Sequence, residues 1–195
     1  MKKEKHKSII EWTFAVLLIV FVVSKSSFFQ YYHLSPSAAY EQSERSYHYG
    51  PSEIIEEVEL GDVRIYLGKY KEWFSANMIE RRFGFLWTPG SGVGGIPIDT
   101  SEELNYSWQA TQTNDQYVWN FFGIVHNQDI TQIEIDVVDD YQYEKMYAQE
   151  QIETYTYQVN SERMFLINWS GENRHAVNLR GINDNNEVLY EKDLN

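Results

Sequence analysis

Tyr117-Val118-Trp119-Asn120-Phe121-Phe122-Gly123-Ile124 decides how the rest of the chain is read. Side chains of a strand point alternately to opposite faces. Tyr117, Trp119 and Phe121 therefore share one face, and Val118, Phe122 and Ile124 share the other. Both faces are apolar, which predicts a strand buried on both sides. Outward from it, Leu104, Tyr106 and Trp108 share a face, and Ile133, Ile135 and Val137 alternate with Gln132, Glu134 and Asp136.

The same period of two governs both flanks. Ile54, Val58 and Leu60 alternate with Glu53, Glu57 and Glu59, and Val63, Ile65 and Leu67 oppose Asp62, Arg64 and Tyr66. Gly61-Asp62 between these runs is a hairpin signal. Further strands are expected over 154–159, 164–169, 176–182 and 188–191, with a turn at Asn183-Asp184-Asn185-Asn186. Short strands separated by turns predict a mainly β fold, an antiparallel β-sandwich or open barrel. Residues 143–153 have the composition for a helical turn, and residues 37–46 for a short helix.

The first 32 residues are of another kind. Lys2, Lys3, Lys5 and Lys7 precede an apolar run from Trp12 to Val23, and Phe28, Phe29, Tyr31 and Tyr32 follow it. The window from Ile9 to Phe29 holds 21 residues, about 31 Å of helix at 1.5 Å per residue, which matches a bilayer core. Its two charges, Glu11 and Lys25, lie near the ends, where long side chains reach the headgroups. Trp12 and Tyr31-Tyr32 sit where aromatic belts form, and the lysine excess before the run keeps the N-terminus cytoplasmic. The expected organisation is a cytoplasmic tail (1–7), a transmembrane signal anchor (8–32), a polar stem (33–49) and a β-rich extracytoplasmic domain (50–195). A cleaved signal peptide is the rival, with small residues at Ser24 and Ser26 or at Ser37-Ala38-Ala39. Either reading places the domain outside the cytoplasm.

Charge and composition narrow the chemistry. Residues 26–195 hold 11 of the 16 Lys and Arg but 27 of the 29 Asp and Glu, a net −16 against −13 for the whole chain. Such a domain repels nucleic-acid phosphates, so no nucleic-acid partner is expected. The chain has no cysteine, which excludes disulfides, thiolate metal sites and cysteine nucleophiles. Gly90-Ser-Gly92-Val-Gly-Gly95 spells the dinucleotide fingerprint, but that chemistry needs a helix N-terminus after the glycines. Pro97 follows instead, flanking with Pro89 what reads as a flexible loop, and no cofactor is expected.

Other candidates are few. Asp136, Asp139 and Asp140 cluster near a strand end and are weak candidates for a hard cation, with the acidic turn 184–187 as a second. His48, His126 and His175 lack partners at metal-ligand spacing, and His48, between Tyr47 and Tyr49, is expected to pack against aromatics. Trp73, Trp87, Trp108, Trp119 and Trp169 are first of all core residues. Trp108 and Trp169 fall at strand ends near polar residues, so they are the candidates for ligand binding should any be exposed.

At Tyr47-His48-Tyr49-Gly50-Pro51-Ser52-Glu53-Ile54 and Leu67-Gly68-Lys69-Tyr70-Lys71-Glu72-Trp73 the chain resembles uncharacterised single-pass, membrane-anchored extracytoplasmic proteins of low-GC Gram-positive bacteria. The resemblance implies a location and an architecture, and no activity. Together these readings lead to the expectation of a non-catalytic module binding a protein or envelope component. The alternatives are a carboxylate-dependent envelope hydrolase, drawing on Glu80, Asp136 and Asp139, and a carbohydrate-binding module. The partners anticipated are the membrane itself and an envelope protein or polysaccharide.

Overall fold

The computed structural model describes residues 2–25, 31–92, 94–113, 117–139 and 152–194. Helix α1 covers Lys2–Lys25, and the side chains from Trp12 to Val22 are solvent-exposed except for Ala15. Among the described residues no helix is long and apolar enough to cross a membrane. Helix α2, Pro36–Ser46, starts from Ser35, whose Oγ accepts from the Ala38 N–H at 3.3 Å, and has proline in its first turn.

The described strands form three antiparallel sheets. The N-terminal sheet orders β1 (Glu53–Leu60), β2 (Val63–Tyr70), β3 (Trp73–Arg82) and β4 (Leu86–Gly92), with β5 (Ile96–Pro97) also paired to β3. The middle sheet runs β10 (Met164–Ser170), β7 (Tyr117–Val125), β6 (Leu104–Gln112). The C-terminal sheet runs β12 (Val188–Asp193), β11 (Arg174–Ile182), β8 (Gln132–Asp139), β9 (Glu153–Gln158).

Two apolar cores explain why the middle sheet is apolar on both faces. In one, Val118, Phe122 and Ile124 of β7 and Met164 and Leu166 of β10 meet Ile65, Leu67, Phe74 and Met78 of the N-terminal sheet. In the other, Phe121 and Val125, with Phe165, Ile167 and Trp169, meet Ile133, Ile135, Val137 and Leu179 of the C-terminal sheet. Neighbouring residues of one strand thus feed different cores, as the period of two requires. Gly123 is needed at the crowded centre of β7. A Cβ there would lie 2.2 Å from the Asn105 carbonyl oxygen and 2.6 Å from the Phe165 ring.

The short helix expected over 37–46 is present as α2, and two other local expectations, at the glycine segment and at His48, are corrected. The stem carries a layer of the fold: Ala39 and Tyr40 of α2 pack with Tyr66, Ile79 and Trp87 on the outer face of the N-terminal sheet. The buried Glu44 carboxylate accepts from the Ser52 N–H at 3.1 and 3.3 Å, tying the end of α2 to the start of β1. The glycine segment is strand as far as Gly92, which pairs with Asn77, so the loop reading fails there because a neighbouring strand satisfies its backbone. His48 is exposed in the turn after α2 and does not pack into an aromatic shell. The helical turn expected over 143–153 lies largely outside the described residues, and Glu153 opens β9.

Candidate functional site

The face that the middle sheet turns toward the C-terminal sheet is aromatic along one side. Cross-strand pairing sets Trp108 opposite Phe121, Ala110 opposite Trp119 and Trp119 opposite Trp169. Paired residues project to the same side of a sheet. Tyr106, Trp108, Trp119, Phe121 and Trp169 consequently form one wall. Tyr106 stacks on Phe121 with centroids 5.2 Å apart, and Trp108 leans over Trp119 at 5.9 Å. Ala110, small and directly across from Trp119, leaves room for that tilt.

His175 and Ala176 of β11, with Lys192, Asp193 and Leu194 at the end of β12, face this wall across a cavity of about 690 Å³. The His175 ring meets the edge of Trp119 at 5.9 Å and 64°. Trp108 stands at the rim, 58% exposed, whereas Trp169 is 4% exposed and forms part of the second core. Trp119 donates its Nε1–H to the Gly171 carbonyl at 2.9 Å. The buried Trp169 Nε1 has no hydrogen-bond partner among the described residues. Burial pushes the Tyr106 hydroxyl up from its ordinary range.

Both sequence-derived ligand candidates thus line one cavity, but in different roles: Trp108 offers an accessible ring face and Trp169 a buried floor. Trp119, His175 and Lys192 were not singled out for ligand binding. His175 and Lys192 fall just outside the strands expected over 176–182 and 188–191, and they join Trp119 only when sheets separated in sequence are stacked.

The carboxylates are disposed otherwise. Asp136 is held by Arg180, with Nη1 to Oδ2 at 2.5 Å and Nη2 to Oδ1 at 3.0 Å, and its Oδ1 also accepts from Thr154 Oγ1 at 2.6 Å. Burial pushes this carboxyl up, but hydrogen bonds from Arg180 and Thr154 outweigh that and hold it below the usual range. Asp139 faces Arg174 at 3.4 Å, and Asp140 lies outside the described residues. Arginine thus serves as counter-ion to both described members of the cluster, and among the described residues no group of three or more His, Asp or Glu is placed to hold a metal ion. Asn183 organises the acidic turn, its Oδ1 accepting from the N–H groups of Asn185 and Glu187 at 2.9 Å each.

Glu80, paired with Arg82 and pushed up by burial, lies on β3 in the N-terminal sheet. Asp136 and Asp139 lie on β8 in the C-terminal sheet, with the middle sheet between. Sheets stack roughly 10 Å apart, so Glu80 is separated from the aspartates by about 20 Å. These carboxylates do not share a cleft. No protein-family model, curated protein or solved structure matches the chain.

Proposed function

We propose that the chain is a membrane-anchored, extracytoplasmic binding module whose layered β-sandwich takes a sugar ring of an envelope polysaccharide in the aromatic cavity. The observation that carries the reading is the convergence of Trp108, Trp119 and Trp169 with His175, Lys192 and Asp193 around about 690 Å³. Ligand pockets run from about 300 to 1,000 Å³ and combine apolar walls with a few polar groups. A pyranose has that duality, with C–H faces for the rings and hydroxyls for charged and polar neighbours. A protein partner would instead need about 800 Å² of complementary surface on each side.

The anchor half of the reading rests on the first helix. Trp12, Phe14, Leu17, Leu18, Ile19 and Phe21 are all more than half exposed on α1, and a helix apolar all round is stable only when something apolar surrounds it. The sequence window continues to Phe29, long enough for a bilayer core, and the leading lysines favour a cytoplasmic N-terminus. Carboxylate hydrolysis is the weaker reading, because Glu80 and the two described aspartates occupy opposite outer sheets.

The test is a titration of the full chain in detergent micelles with purified cell-wall polysaccharide fragments, followed by tryptophan fluorescence. A saturable change in the wild type that is lost in Trp108→Ala supports the reading. No saturable change, or one that Trp108→Ala retains in full, sinks it.

A further inference from the structure

We propose that the β3–β4 hairpin tip is a second membrane contact, inserting Phe83 and Phe85 into the outer-leaflet interface so that the domain lies against the bilayer. This rests on the anchor reading above and adds to it a fixed orientation of the domain.

The tip has an unusual makeup for an exposed turn. The Arg82 carbonyl accepts from the Phe85 N–H at 3.3 Å, closing a turn whose central residues are Phe83 and Gly84, with φ of +52° and +78°. Two positive φ values favour Asn-Gly or Gly-Gly in such turns, and a bulky residue there is a genuine outlier. Here the strained position is held by a phenylalanine that is 72% exposed, next to Phe85 at 62%. Neither ring is used to fill the core. An interfacial bilayer contact supplies the apolar surroundings they lack.

What identifies the lipid surface as the occupant is where the chain leaves the anchor. The apolar window ends at Phe29, and three residues on, Tyr32 touches Phe83 with ring centroids 5.9 Å apart. Three residues of backbone reach roughly 10 Å at most. The tip is therefore tethered to the exit point by no more than roughly 10 Å of backbone and one ring-to-ring contact, whatever path the linking residues take. The next step fixes it there. His33 pairs with Trp87 of β4 through reciprocal N–H to carbonyl bonds, each 2.7 Å. Tyr31 lines a shallow cavity with Tyr32 and Phe83, and Leu34, the residue after His33, is 78% exposed. The domain carries net −16 over residues 26–195, so anionic headgroups add no attraction and aromatic insertion has to carry the contact.

The chain has no cysteine, so single cysteine substitutions give unambiguous labelling sites. Full-length Phe85→Cys, Leu34→Cys, Val16→Cys and Asn185→Cys are spin-labelled and reconstituted into phosphatidylcholine vesicles. Each is read by relaxation with oxygen, which prefers lipid, and with a water-soluble nickel chelate. The expected result is that labels at positions 85 and 34 favour oxygen, between the strong preference at 16 and the aqueous signature at 185. Aqueous labels at 85 and 34 with a lipid signature at 16 overturn the docked tip while leaving the anchor intact. An aqueous label at 16 overturns the anchor and the docked tip with it.

Discussion

Trp119 and Trp169 lie directly opposite each other on β7 and β10, their planes 4° apart and their centroids 6.2 Å apart, although 50 residues separate them in the chain. Offset stacking at this separation is favourable for aromatic pairs. It turns two core residues into the floor of the cavity whose rim is Trp108.

Rim and floor are expected to separate in mutagenesis. Trp108→Ala removes an exposed ring and should leave stability within about 0.5 kcal/mol of wild type while abolishing the fluorescence response to saccharide. Trp169→Ala opens a hole in the second core and should cost about 3–5 kcal/mol. Denaturant unfolding of the two variants checks the first quantity and the titration the second.

Stability should fall on acidification in two steps. Burial is the main influence holding the His126 imidazole below its ordinary 6.5, and the net effect at Asp136 is to sit below 3.8. Both groups bind protons more readily in the unfolded chain, so stability falls as pH drops. The His126 contribution is complete above pH 6.5 and erodes below it, and that of Asp136 erodes below 3.8. Glu56 and Glu80 act with the opposite sign. Burial raises both above 4.5, and stability is regained as pH falls through their folded values. Urea midpoints measured across the acid range should lose the upper step in His126→Gln and the lower in Asp136→Asn.

Gly123→Ala should destabilise the domain by about 1–3 kcal/mol, the usual cost of overpacking. The added methyl meets backbone, the Asn105 carbonyl at 2.2 Å, so no side-chain rotation relieves it. Thermal unfolding of this variant against Gly61→Ala is informative. At Gly61 no atom of the described residues beyond its chain neighbours lies within 4 Å of an added Cβ, although its φ of +61° carries its own backbone penalty.

Glu44→Ala should cost about 1–3 kcal/mol, because it leaves the part-buried Ser52 N–H without its acceptor. The loss should be local at first. Hydrogen exchange should quicken at Ser52 and along the first residues of β1 before it does in β7.

Which parts of this were legible beforehand follows from how each strand is buried. β7 is readable because both its faces meet hydrocarbon, and β1 because glutamates mark its solvent side, although a bulge turns Ile55 rather than Ile54 to the core. β2 is readable from Val63, Ile65 and Leu67 alone, since its other face carries Tyr66 under α2. β3 was passed over. Its inner residues Phe74, Ala76 and Met78 are apolar, but Ser75 and Asn77 on the other face are buried under α2, so polarity there does not mean solvent. β4 reads as loop at Gly90, where a Cβ would stand 3.0 Å from the Met78 carbonyl oxygen. Glycine in that strand reflects a close neighbour, which one sequence cannot display. Trp108 and Trp169 were found from their polar flanks, a signal silent about His175 and Lys192 on other strands.

By itself the sequence determined the antiparallel β character, the absence of thiol chemistry and the acidic surface, since these depend on residue type and on a local period of two. Only the tertiary structure decided that three sheets stack with α2 over one face, and that an aromatic cavity opens between two of them. Alternation records which side of a strand is hidden from water. It carries no record of what hides it, because burial is non-directional and any apolar surface of suitable shape satisfies it equally.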